Sequence, residues 1–511
     1  MIIVRKAVIS VSDKEGILEF AKGLTSLGIE LLATEGTVNY LAQKGIKAET
    51  VSAYTGQKEI LGGRVKTLHP KIFAPILATR QQETELKSLG LSPFDMVIVN
   101  LYPFEATIAK PGITFEEAME NIDIGGVSLI RAAAKNADRV AIITGKHQYQ
   151  TILDELKKNE GKIGDETLHR LAVAAFEYTS AYDTAIYNYL WRKSGQSIPP
   201  ALRIAYSMGN PLRYGENPYQ KAAFFLDTKA SNLTVAGSEL LHGKPLSYNN
   251  ILDLDAALNA ASEFEEPSAA VIKHTNPCGF ALGESLAEAY IAAHEGDPVS
   301  AYGCVVGLNS TVDIDTAKAM KKHFVEAIIA PDYNQDTLEL LKMKKNIRLM
   351  KTGTPFRKLE DLYMVKVSGG MLVQTKGFLK INPEEFKVVT KVEPTKEQLK
   401  DMIFGLRVSR YVKSNSIILV KDLKTVGIGA GQMSRVDACH IATYKAGERA
   451  KGSVLASDAF FPFRDGVDIA GKAGVAAIVQ PGGSIRDNEA IQAADEYGIS
   501  MVFCGFRTFR H

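Results

Sequence analysis

The amino-acid sequence predicts an α/β protein with more than one domain, on the basis of its length, its apolar patterning and one clear break. The chain has 511 residues, which is roughly three to four domains at about 150 residues each. In the first half, short apolar runs alternate with helical patterns, which is typical of a largely parallel sheet. The sequence SGQSIPP at 194–200 cannot continue a helix, so we place the main domain boundary there.

The first half is expected to repeat a strand, a polar turn and a helix. Residues 12–15 have the composition of a capping box and predict a helix that begins there. A second helical pattern begins at Val38, and a glycine-started helix is expected over 124–137. The strands expected in this half are 6–11, 29–33, 94–101 and 139–144.

The second half is again expected to be α/β. Strands are expected at 269–273 and 416–420, each followed by a glycine-containing turn and a helix, and this suggests a duplicated unit. The helix of the first copy is expected over 284–294. A polar stretch near 382–400 is expected to divide this half into two lobes.

Composition and charge exclude several classes of partner. The 60 Lys and Arg residues nearly balance the 58 Asp and Glu residues, so no net field favours nucleic acid or an anionic membrane. No apolar run approaches the ~18 residues of a membrane helix, and the stretch 2–4 is too short for a signal segment. Four scattered cysteines without C-x-x-C spacing argue against a disulfide framework and a zinc site. We expect a soluble cytosolic protein whose partners are small molecules.

Polar residues follow the first two expected strands, where open α/β sheets bind ligands. Helix N-termini at such positions offer free N–H groups to an anion. Hydroxyls, an ammonium group and a glycine accompany them at Ser12, Lys14, Thr34, Gly36 and Thr37. These residues predict a phosphate site. The alternative is that Ser12 and Thr37 only cap helices.

Three further features of the first half suit a polarised substrate. The segment GGRVKTLHP at 62–70 places two cations, a hydroxyl and an imidazole beside a glycine pair. Tyr102 follows the expected buried strand, and Asp123 precedes a glycine pair that opens a helix. The alternatives are an ordinary tyrosine at the rim of the sheet and a carboxylate that complements the helix dipole.

The most informative segment is KHTNPCG at 273–279. An apolar strand runs into Lys273 and His274 and then, we expect, into a Pro-Gly turn. An imidazole titrates near neutrality and can relay a proton, and an ammonium group can stabilise an oxyanion. The alternative is that Lys273 covers apolar surface while His274 hydrogen-bonds the turn.

Cys278 lies in a fragment of the zinc deaminase pattern, which is H-x-E followed by P-C-x-x-C. The segment 274–276 reads HTN and lacks the glutamate, and the second thiol is missing. We therefore expect no metal and a Cys278 side chain that packs in a turn.

Other loops of the second half combine cations with aromatic or small residues. They are RYGENP at 213–218, SNS at 414–416, GIGAGQMSR at 427–435, SDAFFPFRD at 457–465 and the C-terminal residues Arg507 and His511. The glycine-rich segment is not a Walker A motif and lacks G-x-G-x-x-G spacing. The aromatic loop suits a flat ring ligand.

Eight motifs together resemble the PurH family of bifunctional purine biosynthesis proteins, in the same order and across essentially the whole chain. They are GGRVKTLHP, NLYPF, DIGG, RYGENPYQ, KHTNPCGF, SNS, GIGAGQMSR and SDAFFPFRD. The resemblance implies a methylglyoxal synthase-like IMP cyclohydrolase domain over 1–195. It also implies an AICAR (phosphoribosylaminoimidazolecarboxamide) formyltransferase domain over 200–511, made of two cytidine deaminase-like lobes without zinc, in a homodimer whose formyltransferase sites draw on both chains.

For formyl transfer, the resemblance implies Lys273 and His274 as the catalytic pair and 10-formyltetrahydrofolate as the formyl donor, with no metal. His274 would take a proton as the amine of AICAR attacks the formyl carbon. Lys273 would steady the oxyanion or protonate the departing folate nitrogen. The substrate-binding positions implied are Arg213, Tyr214, Gly303, Glu326, Asn415, Arg435, Phe460, Asp465, Arg507 and His511.

For ring closure, the resemblance implies Lys66, Tyr102, Asp123 and Lys135 as catalytic residues. The carboxamide nitrogen of formyl-AICAR attacks the formyl group of the same molecule and water leaves, giving IMP, so holding the two ends together supplies much of the acceleration. The substrate-binding positions implied are Ser12, Lys14, Thr34, Gly36, Thr37, Arg64 and Thr67.

Two other functions stay open on the residues alone. A hydrolase on a deaminase scaffold would depend on a metal ion. A nucleotide-binding regulator would bind nucleotides without turnover, and replacement of Lys273 or His274 would not change its function.

Overall fold

The chain forms two compact units, Met1–Ala205 and Tyr206–His511. The computed structural model describes residues 1–227, 230–231, 233–355, 362–377 and 379–511. The segment 194–200, where we expected the boundary, lies within the first unit. The Tyr187 hydroxyl donates to Ala201 O at 2.8 Å and accepts the Ala201 N–H at 3.2 Å, which ties the end of this unit to its last helix.

The first unit alternates strands and helices. Its strands are β1 (Ile2–Ile3), β2 (Lys6–Val11), β3 (Glu30–Ala33), β4 (Glu49–Thr50), β5 (Met96–Asn100), β6 (Ala141–Ile143) and β7 (Lys162–Ile163). Its helices are α1 (Ile17–Ser26), α2 (Glu35–Ala42), α3 (Val51–Thr55), α4 (Pro70–Leu77), α5 (Glu83–Ser88), α6 (Phe104–Ile108), α7 (Phe115–Glu120), α8 (Gly125–Lys135), α9 (Tyr149–Lys158) and α10 (Asp165–Lys193).

Five strands of this unit form a parallel sheet in the order β4-β3-β2-β5-β6. Strands β2, β5 and β6 are buried along nearly their whole length, as expected for a parallel sheet that helices cover. Because parallel strands end at the same edge, the loops after β2, β3 and β5 meet there. These loops carry Ser12, Thr34 and Tyr102.

The helix after β2 begins later than the capping-box pattern predicts. Helix α1 begins at Ile17, after Gly16 with φ of 73°, and no side chain caps it. The N–H groups of Ser12 and Asp13 instead donate to Asn100 Oδ1 at 2.6 and 3.0 Å. The capping-box prediction was wrong because an acceptor on a neighbouring strand binds this segment and holds it as a loop.

The second unit contains more strands than the first. Its strands are β8 (Ser207–Leu212), β9 (Ala222–Leu226), β10 (Glu239–His242), β11 (Ser268–Lys273), β12 (Asn276–Leu282), β13 (Cys304–Leu308), β14 (Val325–Ala330), β15 (Arg348–Lys351), β16 (Leu362–Val367), β17 (Gly370–Thr375), β18 (Lys387–Val388), β19 (Ile417–Lys421), β20 (Lys424–Gly429), β21 (Val454–Ser457), β22 (Ala477–Gln480) and β23 (Ser500–Phe503). Its helices are α11 (Tyr248–Ala261), α12 (Leu286–Gly296), α13 (Ile314–Lys321), α14 (Gln335–Lys342), α15 (Lys396–Ser409), α16 (Arg435–Ala446), α17 (Asp465–Lys472) and α18 (Asp487–Glu496).

One twelve-stranded sheet runs through this unit in the order β10-β15-β14-β13-β11-β12-β20-β19-β21-β22-β23-β18. The pairs β8-β9 and β16-β17 form separate two-stranded ribbons. Alternate residues of β11 face opposite sides of the sheet, as strand geometry requires. Ala269 and Val271 pack with α12, whereas Ala270 and Ile272 pack with α11 and α15.

The second unit contains the duplication that the sequence suggested. The order α11-β11-β12-α12-β13-α13-β14-α14-β15 recurs as α15-β19-β20-α16-β21-α17-β22-α18-β23. In both copies a tight hairpin with two positive-φ residues precedes a helix. A Cβ atom on Gly279 or Gly427 would come within 1.8 Å of Ala293 O or 2.2 Å of Ala442 O, so the following helix approaches each hairpin closely.

The centre of the large sheet determines which strand ends meet. The five pairings from β13 through β11, β12, β20 and β19 to β21 are all antiparallel. Each antiparallel pairing reverses the strand direction. Because five is an odd number, β13–β15 run opposite to β21–β23. One edge of the sheet therefore carries the beginnings of β13, β14 and β15 together with the ends of β21, β22 and β23.

Candidate active sites

The first candidate site lies at the carboxyl edge of the five-stranded sheet. Ser12 and Lys14, in the loop after β2, are half-buried. Asn100, the last residue of β5, accepts two N–H groups of this loop and also donates from Nδ2 to Asp13 O at 2.7 Å. This loop is the one for which the sequence predicts a phosphate site, and Asn100 holds its backbone in place.

The turn between β3 and α2 lies at the same edge. Thr34 is the N-cap residue of α2, and its hydroxyl lies 3.2 Å from the buried Thr37 hydroxyl. The Thr37 side chain therefore does not cap the helix and is held by Thr34. Gly36 is exposed, and a Cβ atom there would meet nothing within 4 Å. The first N–H groups of α2 consequently lie beside small side chains, as anion binding requires.

Asp123, Tyr102 and Lys66 come together at the start of α8. Asp123 Oδ1 accepts the Gly126 N–H at 2.7 Å, and the Tyr102 backbone N–H also donates to this carboxyl group. Burial raises the pKa of Asp123 above its ordinary value, and the charge of nearby Lys66 acts in the opposite direction. The Tyr102 ring is 39% exposed, so it is accessible to a ligand at this edge.

The cations of the segment 62–70 have acidic partners. Lys66 Nζ lies 3.6 Å from Glu59 Oε2, and Arg64 forms an ion pair with Glu120. Both pairs are at least partly exposed, so solvent screens them and an anionic ligand can replace the carboxylates at little cost. Thr67 is buried against the beginning of α8.

Within one chain, Lys135 lies apart from the other residues that are predicted to act in ring closure. It is the last residue of α8, about 15 Å along the axis from Gly125 at a rise of about 1.5 Å per residue. Its side chain is exposed. The structure therefore does not bring Lys135 to Asp123 within one chain, and its catalytic role stays a prediction.

The second candidate site includes the hairpin of β11 and β12. Lys273 ends β11, and His274 and Thr275 form the turn with φ of 52° and 62°. Pro277 and Cys278 lie within β12, so the prediction of a Pro-Gly turn with Cys278 in it was wrong. The chain forms the two-residue turn with positive φ in place of the expected Pro-Gly turn because the twist of this turn matches that of the paired strands.

Backbone carbonyls hold the Lys273 side chain. Its Nζ donates to Tyr302 O at 2.8 Å and to Gly303 O at 3.0 Å, which leaves the third N–H of the ammonium group for a ligand. Gly303 has φ of 68°, and a Cβ atom there would lie 3.3 Å from Lys273 Nζ. His274 is exposed beside it, so both groups are accessible.

A half-buried carboxyl group supports the turn. Asp253, on α11, accepts the Thr275 N–H at 2.7 Å. Burial raises the pKa of Asp253, whereas the charges of His274 and Lys273 act to lower it. The turn that carries Lys273 and His274 is thus tied to the neighbouring helix.

Glu326, at the beginning of β14, lies at the same sheet edge and is held by two neighbours. Its Oε1 accepts from Asn250 Nδ2 at 3.0 Å and from Arg348 Nη1 at 3.3 Å. These contacts fix the carboxylate that the resemblance assigns to the ribose.

A cavity of about 720 Å³ lies at the ends of β21, β22 and β23. The buried Arg435 guanidinium donates to Asp458 Oδ1 at 2.8 Å, to Asn415 Oδ1 at 2.8 Å and to Phe460 O at 2.9 Å. Burial lowers the pKa of Arg435, and the charge of Asp458 opposes this effect. The predicted residues that line the cavity are Asn415, Arg435, Phe460, Asp465 and Arg507.

Lys273 and His274 lie along the same edge of the large sheet as the cavity. The Lys413 N–H donates to Asn276 Oδ1 at 3.0 Å, which joins the hairpin to the segment before Asn415. Among the residues that the structure describes, Lys273 and His274 are not part of the cavity lining. One chain therefore places the two groups of residues on one edge without enclosing them in one cavity.

The remaining predicted residues make contacts with aromatic rings. The Arg213 guanidinium lies 4.9 Å over the Tyr214 ring. Arg507 lies 5.0 Å over the Phe509 ring, against which the His511 ring packs at 5.8 Å. Arg507 and Phe509 line the cavity, so the C-terminal residues lie at its rim.

Comparisons with known proteins identify the family of this chain. A family model described as AICARFT/IMPCHase bienzyme matches residues 133–445, and one described as MGS-like domain matches residues 16–128. The bifunctional purine biosynthesis proteins PurH of Thermoanaerobacter sp. (strain X514) and Bacillus cereus (strain AH820) are 49% and 47% identical to this chain, over 99% of it and 100% of each relative. The chain belongs to the AICARFT/IMPCHase bienzyme family. The solved structure titled "Crystal structure of ForH" is 34% identical and covers 36% of this chain and 97% of its own, with a TM-score of 0.32.

Membership of the AICARFT/IMPCHase family confirms the predicted fold class and function. The first unit contains the MGS-like match and a parallel α/β sheet. The chain is a bifunctional enzyme of purine biosynthesis with AICAR formyltransferase and IMP cyclohydrolase activities.

The bienzyme's thiols are buried. Burial raises the pKa of Cys278 to about 12, and its Sγ donates to Val271 O at 3.4 Å. Within the described ranges, no three His, Cys, Asp or Glu side chains are grouped so that they would hold a metal ion. None of the helices described here is long and apolar enough to span a membrane.

Several residues that shape the two candidate sites were not predicted. Asn100 directly follows apolar residues of β5, and Asp458 directly follows β21, so a strand-end signal was present in the sequence. Asp253 and Asn250 lie on α11, more than twenty residues before the turn and the strand that they contact. No local pattern connects those positions.

Proposed function

We propose that the second unit transfers the formyl group and that the first unit closes the ring. The observation that carries this proposal is the Lys273 ammonium group, which two carbonyls hold beside the exposed His274 with one N–H left for a ligand. The phosphate-binding character of the loops in the first unit supports a nucleotide site there as well.

In the transfer step, the 5-amino nitrogen of AICAR attacks the formyl carbon of 10-formyltetrahydrofolate. This amine is conjugated with the ring and is a poor nucleophile, so His274 assists by accepting its proton. Lys273 stabilises the oxyanion of the tetrahedral intermediate or donates a proton to the departing N10. As the new C–N bond forms, the bond between the formyl carbon and N10 breaks, which gives formyl-AICAR and tetrahydrofolate.

The cavity at the ends of β21–β23 suits a flat substrate with anionic groups. Phe460 and Phe463 in its wall provide aromatic surface, and Arg507 provides a cation at the rim. Asn415, Asp458 and Phe460 hold the Arg435 guanidinium, so its remaining N–H is already oriented for a carboxamide or phosphate oxygen. We propose that AICAR and the folate cosubstrate bind along this edge, with Arg213, Tyr214, Gly303, Glu326, Asp465 and His511 contributing.

In the cyclisation step, the carboxamide nitrogen of formyl-AICAR attacks the formyl carbon of the same molecule. Lys66 polarises the formyl oxygen, and Asp123 with Tyr102 orients the amide. Water leaves and IMP forms, without a metal in our proposal. The nucleotide phosphate is held at the loops of Ser12 to Lys14 and Thr34 to Thr37, with Arg64 and Thr67 beside them.

We also propose a homodimer in which two chains complete each formyltransferase site. Within one chain, Lys273 and His274 lie at the same edge of the sheet as the Arg435 cavity but do not line that cavity. The ribbon β16-β17 exposes Tyr363, Val365 and Leu372, and an isolated two-stranded ribbon is marginally stable unless other structure covers it. A second copy of the chain would cover such apolar surface. Buried free thiols support a reducing, cytosolic compartment.

Two variants assayed for both reactions test which unit performs which reaction. His274→Ala should abolish tetrahydrofolate release from AICAR and 10-formyltetrahydrofolate but leave cyclisation of supplied formyl-AICAR intact. Asp123→Asn should do the opposite. Loss of both reactions in a folded variant would contradict the proposal. Light scattering at gel filtration tests the dimer, and a monomer with full formyltransferase activity would exclude shared sites.

A further inference from the structure

Two tyrosines of α10 contact the backbone beside the proposed ring-closure residues. Tyr178 and Tyr182 are four residues apart and lie on the same side of the helix. The Leu101 N–H donates to Tyr178 Oη at 3.1 Å, and the Asp123 N–H donates to Tyr182 Oη at 2.8 Å. Each hydroxyl therefore binds a segment that carries a proposed catalytic residue.

Tyr182 fixes the segment before α8 at two points. Its hydroxyl accepts the Asp123 N–H and donates to Asn121 O at 3.2 Å, which uses its proton and one lone pair. The ring is 8% exposed and packs edge-on against Phe104 at a centroid distance of 6.2 Å. Because ring packing holds the side chain independently, removing the hydroxyl removes the two hydrogen bonds without removing the ring.

Both hydroxyls remain protonated near neutral pH. Burial raises the pKa of Tyr182 to about 12 and also raises that of Tyr178, and the Asp123 carboxylate adds to both shifts. The two tyrosines therefore act as neutral hydrogen-bonding groups and not as bases. Their mutual proximity to Asp123 places all three groups in one cluster.

We propose that Tyr178 and Tyr182 are positioning residues for the IMP cyclohydrolase reaction. Tyr178 holds the backbone that leads into Tyr102, and Tyr182 holds the backbone of Asp123. Together they keep the Tyr102 N–H against the Asp123 carboxyl group, to which it donates. The inference rests on the proposed roles of Tyr102 and Asp123. Ring closure is sensitive to such contacts because a displacement of about 1 Å can cost roughly 100-fold in rate.

Tyrosine-to-phenylalanine variants at both positions test this role, and the same helix provides a matched control. The Tyr187 hydroxyl also makes two backbone hydrogen bonds, but to Ala201. For Tyr178→Phe and Tyr182→Phe we expect kcat for cyclisation of supplied formyl-AICAR to fall about ten- to 100-fold, with KM within about twofold of wild type. Tyr187→Phe should keep wild-type kcat. Formyl transfer should be unchanged in all three variants.

The inference is overturned if Tyr178→Phe and Tyr182→Phe behave like Tyr187→Phe, or if the loss appears in KM and not in kcat. A melting temperature equal to that of Tyr187→Phe shows that the loss is not one of folding. If Tyr182→Phe does not fold, Tyr178→Phe, which loses a single hydrogen bond, carries the test.

Asp123→Asn, assayed in parallel, separates this inference from the proposed function. Cyclisation at the wild-type rate in Asp123→Asn would refute the role of Asp123 itself. An inactive Asp123→Asn beside fully active tyrosine variants would refute only the positioning role.

Discussion

Replacing Arg435 alone is expected to destabilise the second unit more than replacing it together with Asp458. The Arg435 side chain is 7% exposed and that of Asp458 is fully buried, with Nη1 and Oδ1 2.8 Å apart. Removing one partner leaves an uncompensated buried charge, which costs about 3–5 kcal/mol, whereas neutral replacement of both partners is often harmless. The expected losses of unfolding free energy for the single and the double replacement differ enough to be measured.

The first copy of the repeat shows which neutral residues can replace Arg435 and Asp458, namely Leu and Asn. Leu286 is the first residue of α12 after a serine N-cap, as Arg435 is the first residue of α16. Asn309 follows β13 as Asp458 follows β21, and each accepts the N–H of a serine on the neighbouring strand or just before it. The first copy thus builds the same framework without the ion pair.

Calorimetric unfolding of the two single variants and the double variant provides the assay. Arg435→Leu and Asp458→Asn should each lower the free energy of unfolding by about 3–5 kcal/mol. The double variant should remain only about 1–2 kcal/mol below wild type, for the lost hydrogen bonds to Asn415 and Phe460. Fluorescence of Trp191, the single tryptophan, follows the first unit as a control. Equal stability of Arg435→Leu and the double variant would refute the reasoning.

Three further predictions concern the two active sites. Gly303→Ala should reduce formyl transfer in steady-state assays, because a Cβ atom there crowds Lys273 Nζ. Gly353 has a similar positive φ, 73° against 68°, but open space around it, so Gly353→Ala should retain activity. Burial raises the pKa of Asp123 above 3.8, so Asp123→Asn should be more stable than wild type at neutral pH in urea unfolding, and the difference should close as the pH falls through the raised pKa. Asp253→Ala should lower kcat of formyl transfer about tenfold and Asp253→Asn, which retains an acceptor, should restore part of it.

Each of these predictions has an outcome that contradicts it. Equal formyltransferase rates for the two glycine variants would show that space beside Lys273 does not matter. A stability difference for Asp123→Asn that does not vary with pH would show that burial of the charge does not control it. If Asp253→Asn and Asp253→Ala are equally impaired, the charge of Asp253, and not its hydrogen bond to the turn, is the important property.

Local sequence patterns predicted much of the chemistry of the candidate sites. Lys273 and His274 are adjacent in the chain, so no fold is needed to make them neighbours. The apolar runs of β2, β5 and β11 predicted strands because buried parallel or central strands are apolar along their length. Polar residues at the ends of those runs predicted the edge at which ligands bind.

Only the tertiary structure decided which distant residues support those sites. The segment 12–15 forms a loop and not a capping box because Asn100 on β5 binds its backbone. The turn after β11 is formed by His274 and Thr275 and not by a Pro-Gly pair, and Asp253 on α11 accepts the Thr275 N–H. Lys273, at the end of β11, and Arg435, which follows β20, lie at one edge of the sheet because two antiparallel pairings, an even number, separate β11 from β20. A local pattern specifies how a segment folds, but the number of reversals between strands, which fixes where their ends meet, is a property of the whole sheet.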